Sequence, residues 1–309
     1  MQALVIGYGS IGKRHSDVLE SLGCEVSVVS NRDLKMERCY PNITEALSAK
    51  KPNYIVIANK TSDHISTLIK IKKIGFKGVI LIEKPLSDNL INIPKENYSD
   101  VFVAYNMRFN PLIQRLFDEL KGQTIISSQA YVGQYLPNWR PNRDYRESYS
   151  AKKNEGGGVL RDLSHELDFL NWILGGWKRV AALGGKYSEL DIDSDDVFGL
   201  MFETVKCPIC ILQLNYLDRA TRREVIVNTS QNVFRIDFIS KTFEKDGVII
   251  PSYFDSNYSY YMQHKAIIEK NYDHICSFNS GKDIMRLIIA AEKSAYKENN
   301  NWITNEKNL

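Results

Sequence analysis

The chain has few cysteines, and their arrangement favours neither a disulfide scaffold nor a zinc site. Five cysteines occur among 309 residues, and an odd number of scattered thiols is not typical of a disulfide framework. Cys207 and Cys210 form a single Cys-Pro-Ile-Cys sequence, whereas structural zinc sites of this type need four ligands. We therefore predict reduced thiols and no metal site.

The sequence also lacks a long apolar run and a large net charge. No stretch approaches the roughly 18 to 20 apolar residues of a membrane-spanning helix, and the first residues lack the basic leader of a signal peptide. A formal net charge of +3 is too small to favour nucleic acid or an anionic membrane as a partner. These absences predict a cytoplasmic protein that binds neither.

What the first third of the chain does have is a series of short apolar runs separated by amphipathic segments. The runs are continuous and rich in Val and Ile, which is typical of parallel strands covered on both faces. Their alternation with helix-like segments predicts a doubly wound parallel sheet. The runs are residues 3–7, 26–30, 54–58, 78–83 and 101–105, and the helix-like segments include 15–23 and 64–75.

After about residue 120 the pattern changes, and strand-like runs follow one another with no long helix between them. Such an order predicts an antiparallel sheet. The glycine triplet 156–158 opens a predicted helix that runs to about Leu174, and a final helix is predicted over 283–295. The strand-like runs are residues 197–202, 209–217, 224–229 and 233–239.

These patterns predict an α/β protein of two domains, which also suits a chain of 309 residues that is 43% hydrophobic. The predicted Rossmann domain, a doubly wound parallel sheet, covers residues 1–120. The predicted second domain covers residues 121–309. It is α+β, with a large, open, mainly antiparallel sheet.

A glycine-rich turn follows the first predicted strand and opens a predicted helix. Glycines in this place allow a tight turn, close approach of backbone N–H groups to a pyrophosphate, and close packing of helix on strand. The position of the turn within a strand–helix–strand unit therefore predicts a dinucleotide site. The turn residues are Gly7, Tyr8, Gly9, Ser10, Ile11 and Gly12.

The end of the second strand is expected to meet the adenosine ribose. NAD-binding sites usually have an acidic residue there, which accepts a hydrogen bond from the 2′-hydroxyl. Here Ser30, Asn31 and Arg32 occupy this stretch, and the first acid is Asp33. A hydroxyl, an amide and a guanidinium suit a 2′-phosphate, so NADP(H) is favoured over NAD(H). The alternative is that Arg32 is merely solvated and the chain uses NAD(H).

Five motifs then follow in a fixed order along the chain. They are GYGSIGKRH (7–15), IANKTSDH (57–64), EKP (83–85), YNMRFNP (105–111) and GGGVLRDLSHELD (156–168). With these motifs the chain resembles the glucose–fructose oxidoreductase / inositol dehydrogenase / MocA (Gfo/Idh/MocA) family. The resemblance implies an NAD(P)-dependent dehydrogenase or reductase acting on CH–OH groups of a sugar, cyclitol or nucleotide-sugar derivative. It also implies a homodimer or homotetramer built on the open sheet face.

The resemblance implies that Lys84 lies beside the nicotinamide and the reacting hydroxyl, in a setting made by Glu83 and Pro85. In the family this Lys–Pro bond is often cis. A lysine there hydrogen-bonds the substrate oxygen and stabilises its developing charge. The alternative, a surface lysine before a turn proline, is disfavoured because ligands bind beyond the carboxyl ends of such strands. Four further residues match family positions near the cofactor: His15, Ala58, Asn59 and His64.

The family pattern Asp-x-Gly-x-His-x-x-Asp corresponds here to residues 162–168, with one residue fewer between Asp162 and His165. The resemblance implies that His165 is the general base in alcohol oxidation, or the acid in ketone reduction. Asp162 then orients His165 or contacts substrate hydroxyls. The alternative is a solvated polar helix face opposite a leucine stripe. Phe169 and Trp172 fall on that polar side, however, which indicates an enclosed helix.

The loop before the glycine triplet gives the clues to the substrate. Trp139 is placed to stack on a sugar ring, and Arg140 and Arg146 to bind a carboxylate or phosphate. A solvated loop is the alternative. Tyr105 and Arg108 match a family segment and either bind substrate or pack at the domain junction. WRPNRDY followed by LSHELD is similar to a bacterial branch in surface-glycan sugar metabolism, which implies an acidic or nucleotide-linked sugar.

Two other functions remain open at the sequence level. One is a non-catalytic NAD(P)(H)-binding regulator, and the other is an NAD-dependent glycosidase of the same family. Retention of Lys84 and His165 disfavours the regulator, since a sensor does not need proton-transfer groups.

Overall fold

A computed structural model describes residues 1–32, 34, 36–140, 143–296 and 301–305. The chain divides into two compact units. The first unit contains Met1–Asn110 and Asp255–Asp283, and the second contains Pro111–Phe254 and Ile284–Leu309. The division thus differs from a single cut at residue 120, because Ile267 and Ile275 pack into the core of the first unit.

Strands and helices alternate through most of the first part of the chain. The predicted strands and helices are all present, each within a few residues of its predicted bounds. The elements are β1 (Gln2–Ile6), α1 (Ser10–Ser21), β2 (Glu25–Val29), β3 (Cys39–Tyr40), α2 (Ile43–Ala49), β4 (Tyr54–Ile57), α3 (His64–Lys73), β5 (Val79–Ile82) and β6 (Val101–Val103).

The middle of the chain consists mainly of strands. A short helix pair interrupts them after the glycine triplet. The elements are α4 (Pro111–Glu119), β7 (Ile125–Gly133), α5 (Val159–Asp162), α6 (His165–Ile173), β8 (Trp177–Gly185), β9 (Val197–Thr204), β10 (Ile209–Asn215), β11 (Arg222–Thr229), β12 (Val233–Asp237), β13 (Thr242–Lys245) and β14 (Val248–Pro251).

The last part of the chain completes both units. Its elements are α7 (Tyr258–Ile268), β15 (Cys276–Ser277), α8 (Phe278–Tyr296) and β16 (Ile303–Thr304). The sheet of the first unit has the order β15-β6-β5-β4-β1-β2-β3, with parallel pairing from β6 to β3. The sheet of the second unit has the order β14-β13-β12-β11-β7-β10-β9-β8-β16 and is antiparallel except between β7 and β10. The predicted α/β fold class is confirmed.

The parallel sheet brings the loops that follow its strands to one edge. The first residue after each strand is hydrogen-bonded to the end of the neighbouring strand. Gly7 N donates to Val29 O, Ala58 N to Ile6 O, and Glu83 N to Ile57 O. The glycine turn, the segment after β4 and the Glu-Lys-Pro motif therefore share the carboxyl edge, where open α/β sheets bind ligands.

The helix predicted from the glycine triplet to Leu174 is interrupted. Leu163 leaves the α conformation, with φ −96° and ψ 26°, so α5 ends at Asp162 and α6 begins at His165. The start of α5 is fixed by Asp195, whose Oδ2 accepts a hydrogen bond from Leu160 N at 3.0 Å.

Two further observations concern membrane-spanning helices and metal sites. None of the helices in the described parts of the chain is both long and apolar enough to cross a membrane. Cys207 and Cys210 are buried, and across the described ranges no group of three or more histidine, cysteine or acidic side chains is arranged to hold a metal ion.

Candidate active-site residues

The glycine turn has two crowded positions and one open position. A Cβ atom at Gly7, whose φ is +93°, would lie 2.6 Å from the carbonyl oxygen of Ala58. A Cβ at Gly12 would collide with the carbonyl oxygen of Gly7, whereas a Cβ at Gly9 would meet no atom within 4 Å. Packing of helix on strand therefore requires glycine at 7 and 12. At position 9 the missing side chain leaves space over the first turn of α1, where backbone N–H groups have no partner within the helix.

The residues after β2 form a tight turn. Ser30 N donates to Tyr40 O at 3.1 Å, and Ser30 Oγ accepts from Arg32 N at 3.1 Å. Asn31 and Arg32 are exposed at the edge of the first unit, and Asp33 lies outside the described residues. The hydroxyl of Ser30 thus supports the turn that presents Arg32 to solvent.

The segment after β4 has two buried polar atoms that the described part of the protein leaves without a hydrogen bond. They are Asn59 Oδ1 and His64 Nε2. Asn59 Nδ2 donates to Thr67 Oγ1 at 2.9 Å, and His64 Nδ1 lies 3.1 Å from Pro85 O. Burial lowers the pKa of His64, so its ring is neutral, with the Nδ1 proton donated to Pro85 O and a lone pair on Nε2.

The Glu-Lys-Pro motif follows β5. The bond between Lys84 and Pro85 is cis, and Lys84 itself is half-buried. The buried Glu83 accepts from His15 Nε2 at 2.7 Å through Oε1, and from Lys84 N at 3.0 Å through Oε2. Burial alone would raise the pKa of Glu83, but the hydrogen bond from His15, together with the charge and the backbone N–H of Lys84, outweighs it, so the pKa is lowered. Glu83 is therefore an anion beneath the Lys84 backbone.

Two residues next to Glu83 and His15 were missed at the sequence level. His264 Nε2 lies 2.8 Å from His15 Nδ1, and His264 Nδ1 lies 2.9 Å from the hydroxyl of Tyr54. His264 belongs to α7, in the segment that returns to the first unit. No local pattern marks either residue, since Tyr54 reads as an ordinary strand residue.

The residues after β6 are buried in the first unit. Tyr105 is 0% exposed and Arg108 is 4% exposed, and Arg108 N donates to Tyr105 O at 3.2 Å. Arg108 lies in a short 3-10 helix, Asn106–Phe109, against which α7 packs.

In the second unit, Asp162 is the centre of a phenol cluster. It is 5% exposed, and its Oδ2 accepts a hydrogen bond from the hydroxyl of Tyr216 at 2.6 Å. The Tyr149 hydroxyl also hydrogen-bonds Asp162. Burial and the charge of Asp162 raise the pKa of Tyr216, and that charge and burial raise the pKa of Tyr149. Both phenols therefore remain protonated donors. Neither tyrosine was singled out from the sequence.

His165 begins α6 and is half-buried, and the break at residues 163–164 separates it from the end of α5. Asp162 and His165 therefore do not lie on one continuous helix. The expected enclosure of α6 is confirmed. Asp168 and Phe169 on the polar side are 0% exposed, and the Trp172 ring stacks on Phe117 at 4.7 Å.

The loop residues expected to contact substrate are in different situations. Trp139 packs edge-on against Tyr216, with 5.2 Å between ring centroids, so it lies beside the Asp162 cluster. Arg140 is exposed. Arg146 is paired with Asp144 through Nε at 2.9 Å and Nη2 at 2.6 Å. Pro141 and Asn142 of this loop lie outside the described residues.

Part of the second unit matches the model of a known protein family. Residues 124–235 match the model of the GFO/IDH/MocA C-terminal domain. An uncharacterized oxidoreductase of Synechocystis sp. (strain ATCC 27184 / PCC 6803 / Kazusa) is 28% identical over 151 residues, which cover 46% of this chain and 40% of that protein. The matched part of that relative is thus less than half of its length. The resemblance to the Gfo/Idh/MocA family found in the motifs is confirmed.

Solved structures share the fold over nearly the whole chain. GenD2 from gentamicin A biosynthesis, in complex with NAD, superposes with a TM-score of 0.82 at 18% identity, covering 99% of this chain and 96% of that one. Levoglucosan dehydrogenase with NADH has a TM-score of 0.83 at 15% identity, with 98% of each chain covered. The WlbA dehydrogenase from Bordetella pertussis, with NADH and UDP-GlcNAcA, has a TM-score of 0.79 at 16% identity, with 98% of each covered. At identities this low, the superpositions show a common fold.

Proposed function

We propose that this chain, which carries the C-terminal domain of the Gfo/Idh/MocA family, is an NAD(P)-dependent oxidoreductase. It transfers hydride between a nicotinamide and a carbinol or keto carbon of a sugar, cyclitol or nucleotide-sugar derivative. The main support is the carboxyl edge of the first sheet, where the open glycine turn and the Lys84 backbone above an ionised Glu83 occur together. The sugar and nucleotide-sugar dehydrogenases among the structural neighbours support the substrate class.

The residues of the first unit fit a dinucleotide. The space at Gly9 over the N-terminus of α1 suits a pyrophosphate, because helix N-terminal N–H groups favour anions. Asn59 Oδ1 and His64 Nε2, both acceptors without a partner in the described ranges, suit hydrogen-bond donors of the same ligand. When bound, the nicotinamide supplies or accepts the hydride.

Lys84 has the electrostatic role in this proposal. Its ammonium donates to the substrate oxygen and stabilises the negative charge that develops there as the carbinol proton leaves. The chain holds the Lys84 backbone through the N–H bond to Glu83 Oε2 at 3.0 Å. Pre-organisation of this kind matters because a misplaced donor loses most of its effect on the transition state.

The second unit provides the proton transfer and the substrate contacts. His165 takes the hydroxyl proton in oxidation and returns it in reduction. Asp162, held by the phenols of Tyr216 and Tyr149, accepts hydrogen bonds from sugar hydroxyls. Trp139 stacks on the sugar ring, and Arg140 and Arg146 bind a carboxylate or phosphate, with Arg146 exchanging its bond to Asp144.

The assay that tests the function uses purified protein with each nicotinamide cofactor and a panel of sugars, cyclitols and nucleotide sugars. We expect a change in reduced-nicotinamide absorbance with at least one substrate. Lys84→Met is expected to lower kcat by about a thousandfold, the size of losing one transition-state donor. Lys77→Met, an exposed lysine of the same unit, is the matched control.

Three outcomes contradict the proposal. Tight cofactor binding without turnover at any pH indicates a regulator. Net hydrolysis without net cofactor reduction indicates a glycosidase. Equal turnover by the Lys84→Met and Lys77→Met variants would show that Lys84 does not have the proposed electrostatic role.

The cofactor preference is a finer part of the proposal. Exposed Arg32 and Asn31 after β2 suit a 2′-phosphate, so NADP(H) is expected to bind more tightly than NAD(H). Arg32→Ala is expected to weaken NADPH binding about tenfold and NADH binding less than twofold, measured by titration calorimetry. Since the neighbouring structures hold NAD or NADH, equal losses for both cofactors would instead favour NAD(H).

The open face of the second sheet supports the proposed homodimer or homotetramer. Met201 and Ile211 are paired across β9 and β10, and both are more than 40% exposed. Leu183 on β8 is 62% exposed. Exposed apolar side chains on neighbouring strands favour a second copy of the chain as the partner of this face. Met201→Glu is expected to give a monomer in native mass spectrometry, whereas Tyr253→Glu, in an exposed loop, should leave the assembly intact.

A further inference from the structure

A hydrogen-bonded chain of buried side chains runs through the core of the first unit to the Lys84 backbone. The Tyr54 hydroxyl lies 2.9 Å from His264 Nδ1, and His264 Nε2 lies 2.8 Å from His15 Nδ1. His15 Nε2 lies 2.7 Å from Glu83 Oε1, whose partner oxygen accepts from Lys84 N. Tyr54, His264 and His15 are 0% exposed. The side chains come from β4, α7 and α1, so this series of hydrogen bonds forms only in the folded unit.

The number of available protons determines which atom donates and which accepts in each of these hydrogen bonds. An ionised carboxylate only accepts hydrogen bonds, and a neutral imidazole has one donor and one acceptor nitrogen. When His15 is neutral, it donates from Nε2 to Glu83, and its Nδ1 is an acceptor. His264 then donates from Nε2 and accepts from the Tyr54 hydroxyl at Nδ1. Every contact is satisfied with both rings neutral.

The electrostatics of the buried groups agree with this direction. Burial and the neighbouring His15 lower the pKa of His264 well below its ordinary 6.5. Burial, with the charge of Glu83 among the smaller causes, raises the pKa of Tyr54. A neutral His264 and a protonated Tyr54 are the forms that the one-directional chain needs.

We infer that His264 is a positioning residue for Lys84, acting through the tautomer of His15. By donating to His15 Nδ1, it keeps the His15 proton on Nε2, where it binds Glu83 and fixes the carboxylate against the Lys84 N–H. Without that donor the His15 proton is free to move to Nδ1. Glu83 would then lose its partner, and the backbone of the Glu-Lys-Pro motif would lose its support. This inference rests on the proposed role of Lys84 in hydride transfer.

The first test measures the protons directly and needs no substrate. The full-length protein, with its histidines labelled with ¹⁵N, is studied by NMR at neutral pH. We expect His15 and His264 each to have a proton on Nε2 and a lone pair on Nδ1. A His15 protonated at both nitrogens, or a His264 with its proton on Nδ1, overturns the inference.

The second test measures the effect on catalysis. His264→Leu is expected to lower kcat about tenfold, with the KM values of substrate and cofactor changed less than twofold. His264→Gln retains an amide donor towards His15 and an acceptor towards Tyr54, so it should recover most of kcat. The matched control is Gln263→Leu, the preceding residue on α7. It is 0% exposed, and its amide atoms have no hydrogen bond among the described residues.

The outcomes separate this inference from the proposed function. If wild-type protein turns over substrate but His264→Leu and Gln263→Leu have the same kcat, positioning by His264 is wrong and the oxidoreductase proposal stands. If the NMR tautomers are as expected but no substrate is turned over, the hydrogen-bonded chain exists and the oxidoreductase proposal fails. If His264→Leu does not fold, loss of activity in a folded His264→Gln variant equal to that of Lys84→Met would contradict the inference.

Discussion

The two compact units bury carboxylates by different means. In the first unit, Glu83 is ionised because His15 and the Lys84 backbone donate to it. In the second unit, Asp162 is held by phenols, and Asp195 is so deeply buried that its pKa is raised to about 6. Burial lowers the pKa of His64 and His264, which favours neutral pH in the first unit, whereas the desolvated Asp195 carboxyl favours lower pH in the second. The units should therefore respond to pH in opposite directions.

The largest expected effect is the removal of the ring beneath Glu83. His15→Leu leaves a buried carboxylate without its side-chain donor, which should lower the free energy of unfolding by about 4 kcal/mol. Urea unfolding at pH 7 measures this loss. Ser16→Ala, which removes a buried hydroxyl bonded to Gly12 O on the same helix, is the matched control and should cost about 1 kcal/mol. Equal losses in both variants would mean that Glu83 does not depend on His15.

Acidification should weaken the first unit more than the second. Burial lowers the pKa of both His64 and His264 below 6.5, so their contribution to stability is present above pH 6.5 and is lost as the pH falls below it. Each histidine contributes at most about 1.4 kcal/mol per pH unit, over the range in which only the unfolded state binds the proton. Hydrogen exchange of β1 and β4, compared with β9 and β10 at pH 6.5 and 5.5 after correction for intrinsic rates, checks this. Greater loss of protection in β9 and β10 would contradict it.

Asp195 should show the opposite sign. Its pKa is raised from 3.8 to about 6, mainly by burial, so the folded state binds this proton more tightly than the unfolded state. Stability from this group is present below about pH 4 and is lost as the pH rises through about 6. Asp195→Asn retains an acceptor for Leu160 N and should be about 2 kcal/mol more stable than wild type at pH 7. The two proteins should converge at pH 4, and a constant difference across this range would refute the assignment.

The parts of the fold that follow local pattern were predictable from sequence. Continuous apolar strands and a glycine turn are each formed by consecutive residues, so β1, β2, β4 and β5 could be predicted. By contrast, β7 carries Ser127, Ser128 and Gln129 in its centre, and these polar residues hide a strand that is buried on one face only. The helix α7 was missed because it buries Gln263 and His264, which leaves no clear apolar stripe.

The candidate site divides in the same way. His15 and Asp162 belong to motifs that the sequence displays, but their partners His264 and Tyr216 lie outside those motifs. Tyr216 meets Asp162 across 54 residues and His264 meets His15 across 249, and only tertiary packing creates these contacts. A residue whose role depends on a partner so far along the chain has no local signal.

Because Asp255–Asp283 belongs to the first unit, that unit cannot complete its fold until this segment has been synthesised. The nascent N-terminal segment leaves the ribosome long before the histidine on α7 has been translated. At about 5 to 20 residues per second, that interval is on the order of ten to thirty seconds. During it, the imidazole on α1 has no ring to donate to it, so the first unit reaches its native hydrogen bonding only after α7 has been translated.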